Sequence, residues 1–309
     1  METKKRLEES KLFTPYKLGS VTLRNRVIRS AAFESMGKDF APTEALKDYH
    51  VSVARGGVGM TTLAYASVNR SGVSFNSQLW LRDEIVPQLR DITDAVHKEG
   101  AAVGIQIGHC GNMTHWSTAG SFPVSASNGF NLYSPTFHRR MRKSEIIEFA
   151  KDFGKAVETA YNAGFDSVEV HAGHGYLISQ FLSPYTNKRR DEYGGSLDNR
   201  MRFMREVLTE VMVAAKDDMA VVVKTNMYDG FKSGLQLPDC ITVAKEIEKF
   251  GVHAVVLSAG FVSKAPMAVM RGAMPLKTLA HYMDMCKFWW LKAALALVGR
   301  WMIPTVPFK

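Results

Sequence analysis

Residues 144–170 read SEIIEFAKDFGKAVETAYNAGFDSVEV. Apolar side chains recur there at the three- and four-residue spacing of one helical face. They are Ile146, Phe149, Phe153 and Val157. Ser144 is the predicted N-cap, and Glu145 lies in the first turn, where a negative charge stabilises a helix. Gly164 ends this helix, and the short apolar run 165–170 predicts a buried strand.

The same order of helix, breaker and strand recurs along the chain. The predicted strands are 26–31, 58–63, 101–107, 165–170, 220–223 and 253–257. Helices alternating with strands favour a parallel sheet with the helices outside. Six such strands fit either an open doubly wound α/β sheet or part of a closed (β/α)8 barrel. No Gly-x-Gly-x-x-Gly follows the first strand, which counts against a Rossmann domain.

The composition is that of a globular protein. The chain has 309 residues, of which 46% are hydrophobic and 22% charged. Residues 1–11 lack the apolar core of a signal peptide, and no run of about 18 apolar residues predicts a membrane span. The three cysteines lack metal-site spacing, which indicates a reduced, cytoplasmic chain. The formal charge of +9 forms no basic stripe with interleaved aromatics, so nucleic acid is not expected as a partner.

Polar residues follow several of the predicted strands. Ligands of parallel α/β folds bind at the carboxyl ends of the strands. The residues at these ends are Gln106, Gly108, His109, His171, His174, Tyr176, Lys224, Thr225, Asn226, Ser258 and Gly260. Hydrogen-bond donors with few carboxylates suit a developing oxyanion better than they suit hydrolysis by two acids. A lysine can neutralise an anionic cofactor, and a tyrosine can deliver a proton.

Each of these residues also has a plainer interpretation. Gln106 could cap a strand end, Lys224 could extend its stem to solvent, and Tyr176 could pack in the rim. His109, together with the two histidines of the run 171–176, could instead bind zinc. These alternatives stay open on residue type and spacing alone.

A longer motif resembles the signature of the old yellow enzyme family, closest to its NADH:flavin oxidoreductase branch. Residues 171–196 read HAGHGYLISQFLSPYTNKRRDEYGGS and carry most of the likeness. Shorter matches are LF at 12–13, LG at 18–19, LRNR at 23–26, QIGH at 106–109 and KTN at 224–226. The resemblance runs from about residue 12 to the end of the chain.

The resemblance implies a TIM-type α/β barrel that binds FMN at the carboxyl ends of its strands. It implies that hydride passes from NADH or NADPH to the flavin and then to an activated alkene such as an enone. By position, His171 and His174 would hold the substrate carbonyl oxygen and Tyr176 would protonate the α-carbon. Gln106 would bond the flavin pyrimidine edge, and Lys224 would lie beside N1 and O2, where reduction builds negative charge.

The resemblance also implies cofactor contacts at the ends of the first and sixth predicted strands. The residues so placed are Ala31, Ala32, Ser258 and Gly260. Many family members carry a Thr or Cys after the first strand, and its side chain bonds the flavin. The side chains of Ala32 and Phe33 cannot form that bond, so we expect the flavin potential to be tuned differently here.

The resemblance further implies that about six of the eight βα units are present. Two more units need roughly 80 residues, and fewer than that follow Gly260. Residues 1–309 are therefore predicted to form a single barrel domain lacking its last two strands, with 261–309 as a helical insertion or tail after strand six. The loops that usually grip the phosphate follow strands seven and eight, so this anchor is predicted to be absent.

Three functional hypotheses follow. The first is an FMN-dependent NAD(P)H oxidoreductase acting on a small activated alkene. The second is a catalytically silent barrel fragment that acts through association with another chain. The third is a metal-dependent barrel hydrolase that uses His109, His171 and His174. The first hypothesis requires no metal. The sequence is also compatible with a homo-oligomer.

Overall fold

The computed structural model describes residues 10–265. Its strands are β1 Tyr16–Leu18, β2 Val21–Leu23, β3 Ile28–Arg29, β4 Met60–Ser67, β5 Ala102–Gly108, β6 Val124–Ser125, β7 Gly129–Asn131, β8 Thr136–Arg140, β9 Ser167–Ala172, β10 Ala220–Asn226 and β11 Ala254–Ser258. Its α-helices are α1 Glu44–Arg55, α2 Val86–Lys98, α3 Trp116–Ala119, α4 Lys143–Asn162, α5 Leu177–Leu182, α6 Leu197–Ala214 and α7 Leu237–Glu248.

The main sheet of the described residues has six strands, all parallel. Their spatial order is β3-β4-β5-β9-β10-β11, which is also their order along the chain. A doubly wound sheet would reverse its strand order at a switch point, whereas this order continues in one direction, as it does around a barrel. The sheet curls like part of an α/β barrel. The prediction of a TIM-type arrangement with about six βα units is therefore confirmed.

The six predicted strands are all present, with shifted bounds. β4, β9 and β10 are buried along their whole length, as expected for parallel strands covered on both faces. The first strand is shorter than predicted, because only Ile28 and Arg29 pair with β4. Beyond Arg29 the chain crosses the strand ends, where Lys224 Nζ donates a hydrogen bond to the Ala31 carbonyl oxygen at 3.1 Å.

Helix α4 shows why the hydrophobic pattern located the element and missed its first residue. Ile146, Phe153 and Val157 are buried, as the pattern predicts. The N-cap is Arg142 and not the predicted Ser144. The carboxylate of Glu145 accepts the backbone N–H of Arg142 at 2.8 Å, so the glutamate satisfies the free N–H at the helix start, as in a capping box.

A hairpin covers the amino-terminal end of the sheet. β1 and β2 pair antiparallel, and their apolar side chains form a small core with the starts of β4 and β10. Its buried members are Leu18, Val21, Leu23, Met60, Ala220 and Val222. The turn uses Gly19 at φ +60°, where an added Cβ would lie 2.5 Å from the His253 ring. Only glycine fits this turn, because both its backbone angle and the neighbouring ring exclude a side chain.

A long excursion that the hydrophobic pattern does not predict separates β5 from α4. It contains α3 and a small sheet of β6, β7 and β8. Gln180 in α5 connects it to the barrel: its side-chain oxygen accepts the Ser125 hydroxyl at 2.9 Å, and its side-chain nitrogen donates to the Cys110 carbonyl at 3.0 Å. The excursion is thereby fixed beside the carboxyl ends of the strands.

Part of the predicted organisation concerns residues 266–309, outside the described residues. The predicted helical insertion or tail at 261–309 falls there from residue 266 onward, as do the predicted lack of strands seven and eight and of a phosphate anchor. In residues 10–265, no helix combines the length and apolarity needed to cross a bilayer.

Candidate active site

Four neighbouring strands bring most of the predicted site residues to one end of the sheet. Gln106 lies near the end of β5, His171 in β9 and Lys224 in β10, and all three side chains are buried. His171 and Lys224 are direct partners in the register of β9 and β10. Ser258 is the last residue of β11. Strand pairing thus fixes the spacing of these groups.

Glu169 joins the two predicted flavin-binding side chains. One oxygen, Oε1, accepts Gln106 Nε2 at 2.6 Å and Lys224 Nζ at 2.8 Å. Glu169 is also the register partner of Gln106 across β5 and β9. Glu169 is not among the predicted site residues, although its spacing in the strand gives a signal. Residues two apart in a strand point to the same face, so Glu169 lies on the same face as His171.

The short segment 30–33 lies beside the ion pair of Glu169 and Lys224 at the strand ends. Lys224 Nζ donates to Ser30 Oγ at 3.3 Å as well as to the carbonyl of Ala31. Arg29 donates to the carbonyl of Ala32 at 3.1 Å. The Ala31 carbonyl therefore lies beside the buried ammonium group, and Ala32 follows it with its carbonyl bonded to Arg29.

His171, His174 and Tyr176 form one cluster of rings. The two imidazole centroids are 5.0 Å apart and perpendicular, and Tyr176 lies 4.7 Å from His171. His174 has a backbone φ of +60°, a left-handed conformation that costs a non-glycine residue energy. Its N–H donates to Asn226 Oδ1 at 3.1 Å, which fixes this conformation. Strained backbone held in this way is typical of functional sites.

A backbone hydrogen bond assigns the tautomer of His171, and the Ser258 contact allows a His174 tautomer that leaves its other ring nitrogen protonated. Nδ1 of His171 accepts the backbone N–H of Gly173 at 3.4 Å, which leaves the ring proton on Nε2. Nε2 of His174 lies 2.6 Å from the Ser258 hydroxyl. With Ser258 donating this bond, the His174 proton lies on Nδ1. Each ring then keeps one N–H for a ligand.

Burial keeps both histidines neutral. It lowers the pKa of His171 well below the ordinary value, with further lowering from His174 and the Lys224 ammonium. Burial, followed by Lys224, lowers the pKa of His174 to about 4. Burial raises the pKa of Tyr176 above its ordinary value, with smaller contributions from Tyr133 and Cys110. At neutral pH the cluster therefore presents neutral N–H and O–H groups.

The depressed histidine pKa values predict a stability loss in mild acid. Between the ordinary pKa near 6.5 and the folded pKa of about 4 for His174, the unfolded chain binds more protons than the folded chain. The free energy of unfolding should therefore fall as the pH drops from 6.5 to 4, by up to about 3 kcal/mol from this residue. Denaturant unfolding of the wild type and of His174→Gln across this range measures the effect. The same change in the free energy of unfolding with pH for both proteins would contradict this prediction.

Gly260 and His109 use their polar groups within the protein. Gly260 N–H donates to the Tyr228 carbonyl at 3.0 Å, and its own carbonyl accepts Asn226 Nδ2 at 2.8 Å. His109 is buried, with Nδ1 accepting the Gly111 N–H at 2.9 Å and Nε2 3.1 Å from Ser71 Oγ. Over the described part of the chain, no three His, Cys, Asp or Glu side chains are placed to hold a metal ion. The arrangement therefore disfavours the zinc hydrolase hypothesis.

Comparison with known proteins identifies the family. The model of the NADH:flavin oxidoreductase / NADH oxidase family matches residues 11–305. The chain belongs to this family. The chain is 36% identical over 299 residues to a 4,4'-dithiodibutanoate disulfide reductase of Rhodococcus erythropolis, covering 96% of this chain and 73% of that protein.

Further relatives agree with this identification. An NADPH dehydrogenase of Listeria welshimeri is 37% identical over 264 residues, covering 83% of this chain and 76% of the relative. The structure of an old yellow enzyme homologue from Zymomonas mobilis superposes with a TM-score of 0.75 at 26% identity, covering 82% of this chain and 74% of that one. This chain covers between 36% and 76% of the length of each of the curated relatives compared with it.

As a member of the NADH:flavin oxidoreductase family, the chain is an FMN-dependent NAD(P)H oxidoreductase of the old yellow enzyme type. The described residues fit the cofactor at its pyrimidine edge. Glu169 takes an amide N–H of Gln106, which leaves the amide oxygen as an acceptor, and Lys224 offers a buried cation. The Gln106 amide oxygen could accept the imide N–H of the flavin pyrimidine ring. The Lys224 ammonium group would lie near the adjacent flavin carbonyl, which gains negative charge on reduction.

Proposed function

We propose that this chain catalyses hydride transfer from NAD(P)H to the β-carbon of an activated alkene of the enone type, with FMN as its cofactor. One observation supports this acceptor above the others. His171 and His174 present two neutral imidazoles 5.0 Å apart, with Tyr176 beside them and Lys224 one strand away. The carbonyl oxygen of an enone is the group that two such donors can bind together.

The two histidines are proposed to bind this oxygen and to polarise the alkene. Hydride addition at the β-carbon turns the carbonyl oxygen into an enolate oxygen, so negative charge develops where the two N–H groups point. Donors fixed by a packed strand and by a constrained backbone lose little energy to reorganisation as this charge appears. Removing one comparable donor in other enzymes costs roughly a hundredfold to a thousandfold in kcat.

Tyr176 is proposed to protonate the α-carbon of the enolate. Burial raises its pKa, so the phenol remains protonated throughout the neutral range. Its ring lies 4.7 Å from that of His171, which supports the proposal that the Tyr176 hydroxyl reaches an alkene whose oxygen is held by the imidazoles. A positioned acid of this kind contributes typically a hundredfold to ten-thousandfold to the rate of a proton transfer.

The cofactor-binding roles are also proposals. Bound FMN supplies the redox chemistry, since it takes hydride from NAD(P)H and returns it to the acceptor. Gln106 and Lys224 are proposed to bind its pyrimidine edge, with Ala31 and Ala32 in contact beside them. Ser258 and Gly260 are proposed to border the cofactor on the β11 side, where Ser258 also orients His174. The side chains of Gln106 and Lys224 are held by Glu169 before any ligand binds.

Anaerobic mixing experiments test the proposal. The purified chain with FMN should show a protein-bound flavin spectrum that NADPH or NADH bleaches, and 2-cyclohexenone should restore the oxidised spectrum. A chain that leaves FMN free in solution would favour the silent-fragment hypothesis. Restoration by 4,4'-dithiodibutanoate, the compound in the name of the Rhodococcus relative, without restoration by the enone would contradict the alkene proposal.

A further inference from the structure

A continuous row of aromatic rings leads outward from the candidate catalytic histidines. Tyr65 lies 5.0 Å from Tyr176 and 6.0 Å from His171, between ring centroids. Phe33 lies 6.5 Å from Tyr65, and Phe75 stacks on Phe33 at 5.3 Å with the two rings 19° apart. We call Phe33, Tyr65, Phe75 and Tyr176 the aromatic row. Its members come from three separate parts of the chain, so the fold assembles it.

Hydrogen bonds fix the chain on both sides of Phe33. Arg29 donates to the carbonyl of Ala32 at 3.1 Å and to Glu34 Oε1 at 2.6 Å. The other oxygen of Glu34 accepts the Ala64 N–H at 3.1 Å. These bonds attach the residues on both sides of Phe33 to the residue before Tyr65. The ring of Phe33 is therefore positioned without help from a ligand.

Exposure differs between members of the row, and Phe33 is its most exposed ring. Tyr65 is 3% exposed and donates or accepts a 2.7 Å hydrogen bond with Ser74, whereas Phe33 is 38% exposed. Phe33 therefore presents a partly exposed apolar ring beside the buried ring of Tyr65. A preorganised, partly exposed aromatic surface next to a polar site is suited to binding a flat apolar group.

We infer that the aromatic row selects acceptors whose activated alkene is conjugated to an aryl ring or a comparable planar π system. This inference rests on the proposed function, because the histidines must hold the carbonyl oxygen for the rest of the acceptor to reach the row. A substituent on the β-carbon points away from that oxygen, and the row provides ring faces and edges for it. Offset or edge-on aromatic contacts add affinity beyond the apolar area that they bury.

Two enones that differ only in the β-substituent test the inference. Benzylideneacetone carries a phenyl group where 3-penten-2-one carries a methyl group. Phe33→Ala and Phe75→Ala should each lower kcat/KM for benzylideneacetone about fivefold to tenfold and leave 3-penten-2-one nearly unchanged. Phe33→Tyr should retain the preference because it keeps the ring. Phe13→Ala, which removes an exposed ring near the amino-terminal end of the sheet, is the matched control and should match the wild type.

Calorimetric binding of the saturated products gives a readout that does not depend on turnover. The wild type should bind 4-phenyl-2-butanone more tightly than 2-pentanone, and Phe33→Ala and Phe75→Ala should remove most of the difference. Equal losses for both enones, or an unchanged preference in both variants, would overturn the inference while leaving the proposed function intact. A wild type that reduces neither enone would instead defeat the proposed function, and FMN absorbance would show whether a variant has lost its cofactor.

Discussion

Replacing His171 by alanine should lower kcat for enone reduction by about a hundredfold to a thousandfold. The variant loses one of the two N–H donors proposed to bind the developing enolate oxygen, and it loses the ring next to that of Tyr176. Transient kinetics with a pre-reduced enzyme should show the loss in the step that consumes the enone. Apparent affinity for the enone should change less than kcat, because the missing bond strengthens as charge develops.

A matched histidine variant separates this effect from general damage. His115→Ala removes an imidazole at the start of α3, away from the ring cluster, and should keep wild-type kinetics. His171→Gln offers a shorter donor and should recover part of the rate lost in His171→Ala. A His171→Ala enzyme within about threefold of the wild type, with FMN bound and the fold intact, would remove His171 from the catalytic residues.

Replacing Lys224 by methionine should lower the free energy of unfolding by about 3–5 kcal/mol. The side chains of Lys224 and Glu169 are only 4% and 7% exposed. Methionine keeps most of the volume and removes the positive charge, so the Glu169 carboxyl group would stay buried beside Gln106 without its counter-ion. Breaking one half of a buried ion pair costs more than the pair itself contributes, because the remaining charge is uncompensated. Denaturant unfolding without FMN measures this effect free of ligand linkage.

A double-mutant cycle shows whether the cost comes from the unpaired charge. Glu169→Gln added to Lys224→Met should restore most of the lost stability, since neither charge then remains. Both proteins should bind FMN more weakly, because each lacks the cation proposed to face the flavin. Lys98→Met, at the exposed end of α2, is the control and should change the stability by less than about 0.5 kcal/mol. Additive effects of the two site substitutions would mean that Glu169 and Lys224 are not coupled.

The periodicity of the sequence predicted the parallel sheet, because burial on both faces leaves a clear signal in strands such as β9 and β10. Pattern alone did not choose between an open sheet and a barrel. The unreversed strand order made that choice, and order is a property of tertiary structure. The excursion was missed because β6 and β7 have two and three residues, too few for a repeating pattern. Ser144 was misjudged because a side chain in the first turn, Glu145, satisfied the earlier N–H.

In the candidate site, too, some features could be predicted from the sequence and others could not. Residues at strand ends could be grouped in advance, because parallel strands end together, and Gln106, His171 and Lys224 do lie close together. Pairings between side chains from different strands could not be predicted from the sequence. The position of Ser258 beside His174 depends on the left-handed backbone of His174, and the aromatic row joins residues far apart in sequence. Such contacts depend on register and local strain, which single-sequence patterns do not encode.

The hairpin below the sheet has a consequence for how the protein is made. β1 and β2 leave the ribosome early, yet their apolar side chains pack against Ala220 and Val222. At typical synthesis rates, some 200 further residues take on the order of 10 to 40 s to appear. During that interval Leu18 and Leu23 have no permanent cover. Nascent chains halted before β10 should therefore recruit holding chaperones through this hairpin.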